Sequence, residues 1–315
     1  MPLAIVIPVF DDWDCARALV AQLRDAMPRI GVDATIFLVD DGSMHKAPAD
    51  VAPRGRGLAP VNVIELFTNV GHQRAIAIGL AAVDASDRFE AALVMDGDGE
   101  DRVEEIERLL DAHRAHPEDI VVAQRGRRRE RFPFKPFYGA YQRLFRVLTG
   151  RRWDFGNFTL LPASVVRRIV HSTDLWNHYP ATLMRSRVAI CRVRVDRGSR
   201  LFGESRMNFV SLVNHGLSAI AVFVDVVFVR LLAVAIAVLV AAGAVGVGVI
   251  AVRIWSGASI PGWAALTLIL LAFAVVQIIA LLVITAFLQL ADRSRVADPP
   301  SARAESFIQQ VRQLG

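Results

Sequence analysis

Two long apolar stretches, residues 231–252 and 264–288, constrain this chain more than any other feature of its sequence. Neither contains a charged residue, and each is long enough to cross about 30 Å of hydrocarbon at about 1.5 Å of helix rise per residue. We therefore predict a transmembrane hairpin over residues 231–290. Two helices buried inside a soluble protein are the alternative, because length and composition do not separate the two cases.

Arginine is distributed unevenly around these stretches. The connector between them carries Arg253 alone, whereas Arg230 precedes the first stretch and Arg293 and Arg295 follow the second. Because basic residues tend to stay on the cytoplasmic side of a membrane, both flanks should lie in the cytoplasm. The pattern predicts a multi-pass protein of the inner (plasma) membrane.

The two segments that flank the hairpin differ in character. Residues 206–230 carry apolar residues at helical spacing, interrupted by Asn214, His215 and Asp225. This pattern favours a juxtamembrane amphipathic helix that lies in the membrane interface. We interpret His215 as a packing or headgroup contact rather than a catalytic group. Residues 291–315 are predicted to form a cytoplasmic tail.

Residues 1–205 alternate between short apolar runs and amphipathic helical patterns. Near-continuous apolar strands separated by helices indicate a mostly parallel sheet covered on both faces, so we predict an α/β domain. The candidate strands are residues 3–7, 35–39, 61–66, 91–95 and 120–123, and the candidate helices are residues 13–26, 72–83 and 103–113.

Polar residues follow four of these strands directly. The most informative cluster is Asp96-Gly97-Asp98, in which two carboxylates stand one residue apart after the run 91–95. Because open α/β sheets bind ligands at the carboxyl ends of their strands, this pair suits one divalent cation that faces a diphosphate. Capping of the next helix is the alternative role. The other three clusters are Pro8-Val9-Phe10-Asp11-Asp12, Asp40-Asp41-Gly42-Ser43 and Asn69-Val70-Gly71-His72.

The charge balance is basic and owes almost everything to arginine. The chain has 36 Lys and Arg against 31 Asp and Glu, a net charge of +5 at pH 7. The planar guanidinium group of arginine binds phosphate groups well, and a positive surface is attracted to an anionic membrane leaflet. Nucleic-acid binding is the competing explanation, and a membrane hairpin with a carboxylate-rich site argues against it. Cys15 and Cys191 show no metal-binding spacing, which favours a reduced, cytosolic domain.

The motifs occur in a characteristic order along the chain. They are Ile7-Pro8-Val9-Phe10, Val39-Asp40-Asp41-Gly42-Ser43, Asn69-x-Gly71-His72 and Met95-Asp96-x-Asp98, then residues 156–161 and 200–206, and finally the pair of apolar stretches. This order resembles family-2 glycosyltransferases, and among them the branch of dolichol-phosphate mannose synthase and the bacterial polyprenyl-phosphate glycosyltransferases. The resemblance covers nearly the whole chain. It implies the glycosyltransferase A fold, which is a Rossmann-like α/β arrangement.

The resemblance also implies roles for the residues at the strand ends. Asp96 and Asp98 would be catalytic and would hold Mg²⁺ or Mn²⁺ against the diphosphate of a nucleotide diphosphate sugar. Asp41 serves equally well as a cap for the turn that follows it. The residues implied to bind the nucleotide sugar, with Asp96 among them, are Pro8, Phe10, Asp11, Asp40, Asp41, Gly42, Asn69 and Gly71.

A further set of residues is implied to handle phosphate groups. Arg125 stands nearest to the end of the fifth strand, where the family places a catalytic, phosphate-binding arginine. Arg200, Ser205 and Arg206 come just before the membrane segment, where the phosphate of a lipid acceptor would arrive. The acceptor site is therefore expected at these three residues.

The chain departs from the family pattern at Asn157. Many bacterial relatives carry a carboxylate there, proposed as a base. A phosphate acceptor is already anionic at pH 7, whereas a hydroxyl acceptor needs a base. Asn157 therefore favours a phosphate acceptor, and Asp154 stays open as a substitute base. A second departure is Glu100, which stands where the branch usually has Gln.

These expectations describe a membrane-anchored inverting glycosyltransferase. It would move one sugar from a nucleotide diphosphate sugar to polyprenyl (undecaprenyl) phosphate on the cytoplasmic face. Two alternatives stay open: a transferase that acts on a lipid or glycan hydroxyl, and a membrane scaffold with a degenerate transferase domain, which the intact acidic pair argues against. The expected partners are the donor, the lipid and the membrane. Nucleic acid is not expected, and a homo-oligomer stays open.

Overall fold

The computed structural model describes residues 1–52, 59–125, 135–203, 209–256, 262–293 and 297–314. The chain divides into two compact units. The first comprises Met1–Val222 together with Asp298–Gly315, and the second comprises Phe223–Ala297.

The first unit is built on one mixed sheet. Its eight described strands follow the order β7-β5-β6-β4-β1-β2-β3-β8. The strands β6 and β8 run antiparallel to their neighbours, and the other pairings are parallel. The strands are β1 Pro2–Val9, β2 Asp33–Asp40, β3 Val61–Leu66, β4 Ala91–Val94, β5 Ile120–Arg125, β6 Phe155–Pro162, β7 Ile190–Val195 and β8 Ile308–Leu314.

Helices cover this sheet and also form the second unit. The helices are α1 Trp13–Ile30, α2 His72–Ser86, α3 Ile106–Ala115, α4 Lys135–Thr149, α5 Ala163–Val170, α6 Tyr179–Arg185, α7 Phe209–Ala221, then α8 Val224–Ser256 and α9 Gly262–Arg293 of the second unit, and α10 Pro300–Arg303. The predicted α/β domain with a mostly parallel sheet is confirmed.

The central strands are buried on both faces because helices pack on each side. On one face, Leu3 and Ile5 of β1 join the core with apolar residues of α1 and α3. On the other face, α2 approaches the sheet closely at Gly79. A Cβ atom there would lie 2.6 Å from the side chain of Val6 and 2.7 Å from that of Val39. This close packing holds the first residue of α2 at the carboxyl edge of the sheet.

The carboxyl-terminal segment, expected as part of a tail over residues 291–315, contributes β8 to the first unit. This strand pairs antiparallel with β3 from Val61↔Leu314 to Leu66↔Ile308. Glu65 of β3 is only 4 % exposed, and it forms an ion pair with Arg312 and accepts a hydrogen bond of 2.5 Å from Gln310. Residues 308–314, expected as part of a tail, are therefore a strand of the sheet, held by backbone pairing and by the ion pair of Arg312 with Glu65.

The second unit consists of the two apolar helices. Both are long and apolar enough to cross a membrane, with mean hydropathy of 2.7 for Val224–Trp255 and 2.9 for Ile269–Ala286. The expected juxtamembrane helix over residues 206–230 is divided in the structure. Among the described residues, α7 ends at Ala221 and α8 begins at Val224, so residues 224–230 belong to the long helix.

Candidate active site

The polar clusters that follow β1, β2 and β4 lie side by side at one edge of the sheet. The backbone N–H of Asp41 donates to the carbonyl oxygen of Val9 over 2.8 Å. A Cβ atom on Gly97 would lie 3.1 Å from the carbonyl oxygen of Pro8. The order of the parallel strands thus brings these loops together at their carboxyl ends, where α/β sheets bind ligands.

Asp11 and Asp40 both order the loop after β2. Oδ1 of Asp11 accepts from the backbone N–H of Met44 over 2.8 Å, and the N–H of Asp11 donates to Oγ of Ser43 over 2.9 Å. Oδ1 of Asp40 accepts from the N–H of Ser43 over 3.0 Å, and burial raises the pKa of Asp40. Phe10, just before Asp11, is exposed.

Asp41 and Gly42 hold the loop after β3 against the end of β2. The carboxylate of Asp41 accepts from the backbone N–H groups of Val70 over 2.7 Å and Gly71 over 3.0 Å. Burial raises the pKa of Asp41 to about 6, although these hydrogen bonds oppose the shift. Gly42 has a φ of +69°, and a Cβ atom on it would lie 2.5 Å from the nitrogen of Asn69, so only glycine fits. Asn69 itself is exposed.

The acidic pair follows β4 and remains partly open to solvent. The side chains of Asp96 and Asp98 are 24 % and 25 % exposed. Oδ1 of Asp98 accepts from the backbone N–H of Glu100 over 3.0 Å. The buried carboxylate of Asp101 accepts from the backbone N–H of Asp96 over 3.0 Å, which fixes the start of the loop.

Two side chains from separate elements contact the carboxylate of Asp96. Oδ1 of Asp96 lies 2.9 Å from Nδ2 of Asn157 on β6 and 3.1 Å from Nε2 of His72 on α2. Oδ1 of Asn157 accepts from Nε2 of Gln73 over 3.2 Å. Burial lowers the pKa of His72, but the hydrogen bond and charge of Asp96 outweigh it, so the pKa of His72 lies above its usual value. Asn157 therefore contacts the acidic pair directly.

Arg200 also reaches the acidic pair. It forms an ion pair with Asp12, and its second terminal nitrogen lies 3.6 Å from Oδ2 of Asp98. The chain on either side of Arg200 lies along the acidic loop, since the N–H of Leu201 donates to the carbonyl oxygen of Asp98 over 3.0 Å and the N–H of Gly198 donates to that of Glu100 over 2.9 Å. The arginine expected at the acceptor phosphate thus lies beside the residues expected at the metal.

The structure does not describe the side chains of three other predicted residues. Arg125 ends β5, and its side chain lies outside the described part of the structure; Ser205 and Arg206 lie outside the described residues altogether. Asp154, the substitute base, accepts from Gln124 over 3.2 Å and pairs with Arg192 over 3.0 Å.

Four residues of the site had no role in the sequence prediction. His72 and Asp12 belong to two of the polar clusters at strand ends, so the sequence already indicated that they lie near the site. Asp101 and Gln73 carried no such signal. The contact of Asp101 with the backbone N–H of Asp96 is local, but no motif marks it, and Gln73 bridges residues that lie 84 and 106 positions away in the chain.

The acidic pair fits Mg²⁺ or Mn²⁺ by its donor chemistry. Both ions prefer hard oxygen ligands, and Mg²⁺ is usually bound by one or two carboxylates with substrate phosphates and water. Among the described residues, no group of three or more His, Cys, Asp or Glu side chains forms a complete metal cage. Two partly exposed carboxylates would therefore share the ion with a diphosphate.

Comparisons with known proteins identify the family of this chain. Residues 4–172 match the model of glycosyl transferase family 2. The chain is 24% identical over 299 residues to an uncharacterized glycosyltransferase of Synechocystis sp., a match that covers 91% of this chain and 89% of that protein. It is 26% identical over 218 residues to undecaprenyl-phosphate 4-deoxy-4-formamido-L-arabinose transferase of Enterobacter sp., covering 67% of this chain and 64% of that protein, just under two thirds of its length.

A solved structure supports the fold. A mycobacterial protein matches with a TM-score of 0.51 at 14% identity, over 71% of this chain and 74% of its own. At that identity the likeness concerns the fold alone, and it agrees with the expected glycosyltransferase A arrangement. Because the family model matches more than half of the chain, we conclude that this protein belongs to glycosyl transferase family 2 and is a glycosyltransferase.

Proposed function

We propose that this glycosyltransferase is anchored in the membrane and moves one sugar, with inversion, from a nucleotide diphosphate sugar to polyprenyl phosphate on the cytoplasmic face. The observation that carries the proposal is the position of Asn157. Where many relatives carry a carboxylate base, this chain places an amide that donates to Asp96 over 2.9 Å. An acceptor that is already an anion needs no base at that point.

On the donor side, the leaving group is a nucleoside diphosphate that gains negative charge as the sugar departs. Asp96 and Asp98 are the residues that would hold Mg²⁺ or Mn²⁺, which when bound supplies Lewis-acid stabilisation of that charge. Asp11, Asp40 and Asp41 shape the adjoining loops, and the exposed ring of Phe10 offers a flat surface for the base.

On the acceptor side, Arg200 is a cation already close to the acidic pair. It lies 3.6 Å from Asp98 and is also paired with Asp12, so its charge is neutralised by carboxylates in this structure. A bidentate phosphate contact is the type of interaction that guanidinium groups favour. Arg125, Ser205 and Arg206 are proposed to complete the phosphate contacts.

Chain connectivity supports a hairpin in the membrane. The chain leaves the first unit after Val222 and rejoins it at Asp298, so both ends of the helix pair are joined to one folded unit. A pair of spanning helices meets this condition, because an even number of crossings returns the chain to its starting side. The arginine distribution then assigns that side to the cytoplasm.

The polyprenyl-phosphate acceptor has support from one relative. The Enterobacter protein is, by its printed name, an undecaprenyl-phosphate sugar transferase. An identity of 26% to that protein does not identify the donor sugar of this chain. Undecaprenyl phosphate is the acceptor that we propose to test first.

A matched pair of lipids tests the acceptor. Purified full-length protein, supplied with labelled UDP- and GDP-sugars and Mn²⁺, should move label into undecaprenyl phosphate and leave undecaprenol unlabelled, because no base is provided for the alcohol. The rate with the alcohol should be at least about 100-fold lower, since general base catalysis contributes about that factor or more. Equal labelling of the two lipids would contradict the phosphate acceptor and favour the hydroxyl alternative.

Accessibility of single cysteines tests the topology. In a variant whose native cysteines are replaced by serine, Ser259→Cys in the connector should react with a membrane-impermeant maleimide in intact cells. Ser301→Cys, exposed in α10, should react only after the membrane is opened. Reaction of Ser301→Cys in intact cells would exclude a cytoplasmic active site.

A further inference from the structure

A pair of histidines joins α7 to the rest of the first unit. His178 is fully buried just before α6, and its Nε2 lies 3.2 Å from Nε2 of His215 on α7. The ring centroids are 4.4 Å apart, and Trp153 packs against both rings at 4.8 and 5.9 Å. His215, expected to make a packing or headgroup contact, packs against His178 and Trp153.

The hydrogen bond in this pair has a defined direction. Nδ1 of His178 accepts from the backbone N–H of Ala181 over 3.2 Å, so in the neutral ring the proton lies on Nε2. Burial, with His215 and His72 nearby, lowers the pKa of His178 well below its usual value, and burial also lowers the pKa of His215. Both rings are therefore neutral at pH 7, and His178 donates to His215.

Further contacts hold α7 at the same place. The hydroxyl of Tyr141 on α4 donates to the carbonyl oxygen of Gly216 over 2.9 Å, and a Cβ atom on Gly216 would lie 2.8 Å from the ring of Tyr141. Arg185 of α6 contacts the carbonyl oxygen of Val222. These contacts hold α7, the helix that precedes α8 in the chain, against α4 and α6 of the same unit.

A line of three hydrogen bonds leads to the acidic pair from the peptide group that joins His178 to Tyr179. The backbone N–H of Tyr179, the next residue, donates to Oε1 of Gln73 over 2.7 Å. Nε2 of Gln73 donates to Oδ1 of Asn157 over 3.2 Å, and Nδ2 of Asn157 donates to Oδ1 of Asp96 over 2.9 Å. The donors of these three bonds all point toward the carboxylate, whereas the bond from His178 to His215 runs the other way. Bonds aligned in one direction polarise one another.

From this arrangement we infer that His215, His178 and Gln73 are positioning residues, and that the docking of α7 sets the geometry of Asp96 for the divalent cation. The inference rests on the proposed role of Asp96 in that function. It does not depend on the identity of the acceptor. In this way α7, which precedes the apolar helix α8, influences cation binding at Asp96.

Direct measurement of Mn²⁺ binding tests the inference without lipid or turnover. Free Mn²⁺ is counted by electron paramagnetic resonance in full-length protein with UDP or GDP. His215→Phe keeps an aromatic ring but removes the nitrogen that accepts from His178. Gln73→Met removes both hydrogen bonds of the Gln73 side chain. Each should weaken Mn²⁺ binding about 3- to 10-fold, the size expected for one or two lost hydrogen bonds. His215→Gln, which restores an acceptor oxygen, should recover at least half of the loss.

The double variant separates positioning from general destabilisation. If the residues act through one line, His215→Phe combined with Gln73→Met should weaken Mn²⁺ binding no more than Gln73→Met alone. Asn214→Ala, an exposed neighbour on α7, is the matched control and should leave binding unchanged. Unchanged Mn²⁺ affinity in folded His215→Phe and Gln73→Met proteins would overturn the inference, as would fully additive losses. If His215→Phe does not fold, Gln73→Met and His215→Gln decide the result.

The same measurement distinguishes this inference from the proposed function. Unaltered protein that binds no Mn²⁺ with either nucleotide would overturn the proposed metal-dependent transfer itself. Normal Mn²⁺ binding by unaltered protein, with no effect of the variants, would overturn the positioning role alone.

Discussion

Replacing Asp98 with Asn should lower sugar transfer by about two to three orders of magnitude. A divalent cation supplies several kcal/mol of stabilisation to a departing diphosphate, and about 1.4 kcal/mol corresponds to a factor of ten in rate. Asn keeps the shape of the side chain and an oxygen that can accept from Glu100, whose N–H lies 3.0 Å from Oδ1 of Asp98. The fold should therefore survive while the charge is lost. Initial rates of transfer with increasing Mn²⁺ measure the effect.

A control on α3 and a chelator complete this experiment. Asp111→Asn makes the same chemical change at an exposed carboxylate that pairs with Arg114, and it should leave transfer unchanged. Chelator should abolish transfer by the unaltered protein, and added Mn²⁺ should restore it. Full activity of Asp98→Asn in metal-free buffer would refute a metal role for the acidic pair.

Replacing Arg312 with Met should destabilise the first unit. Glu65 would keep its hydrogen bond to Gln310 but lose its only described ion-pair partner at an almost fully buried site. Removing one partner of a buried ion pair costs about 3–5 kcal/mol; because Arg312 is 32 % exposed, we expect about 3 kcal/mol. That corresponds to a melting temperature lower by about 6–12 °C for a unit of this size, measurable by thermal unfolding in detergent.

Two further variants identify the cause of this loss. Arg303→Met removes an exposed arginine from α10 and should change the melting temperature by less than about 2 °C. Glu65→Leu combined with Arg312→Met removes both charges, and it should recover most of the stability lost in the single variant. A double variant as unstable as Arg312→Met alone would show that the ion pair is not the source.

The parts of the fold that were predictable are those buried on both faces. The apolar runs at 3–7, 35–39, 61–66, 91–95 and 120–123 all became strands, because central parallel strands need apolar residues at nearly every position. The three strands that were missed lack a continuous apolar run, for different reasons. β7 and β8 are edge strands with one side exposed, and β6 carries Asn157 and Thr159 within its pairing region.

The site shows the same division. The convergence of the clusters after β1, β2 and β4 follows from parallel strands, whose carboxyl ends share one edge. The contact between Asn157 and Asp96 does not follow, because β6 runs antiparallel and enters the sheet between β5 and β4. Likewise, Arg200 approaches Asp12, which is 188 residues away in the chain, and Asp98, which is also distant in sequence. A local sequence pattern does not predict contacts between residues so far apart in the chain.

The position of β8 also sets the order in which the protein can mature. The ribosome synthesises α8 and α9 before β8, so the edge of β3 stays open and Glu65 stays unpaired until both apolar helices have emerged. A product truncated within or after the helices would retain Asp96, Asp98 and Asn157 yet present an open strand edge, which invites pairing with other chains. The sheet can therefore close only after the apolar segment has been made, which links completion of the catalytic unit to synthesis of the two apolar helices.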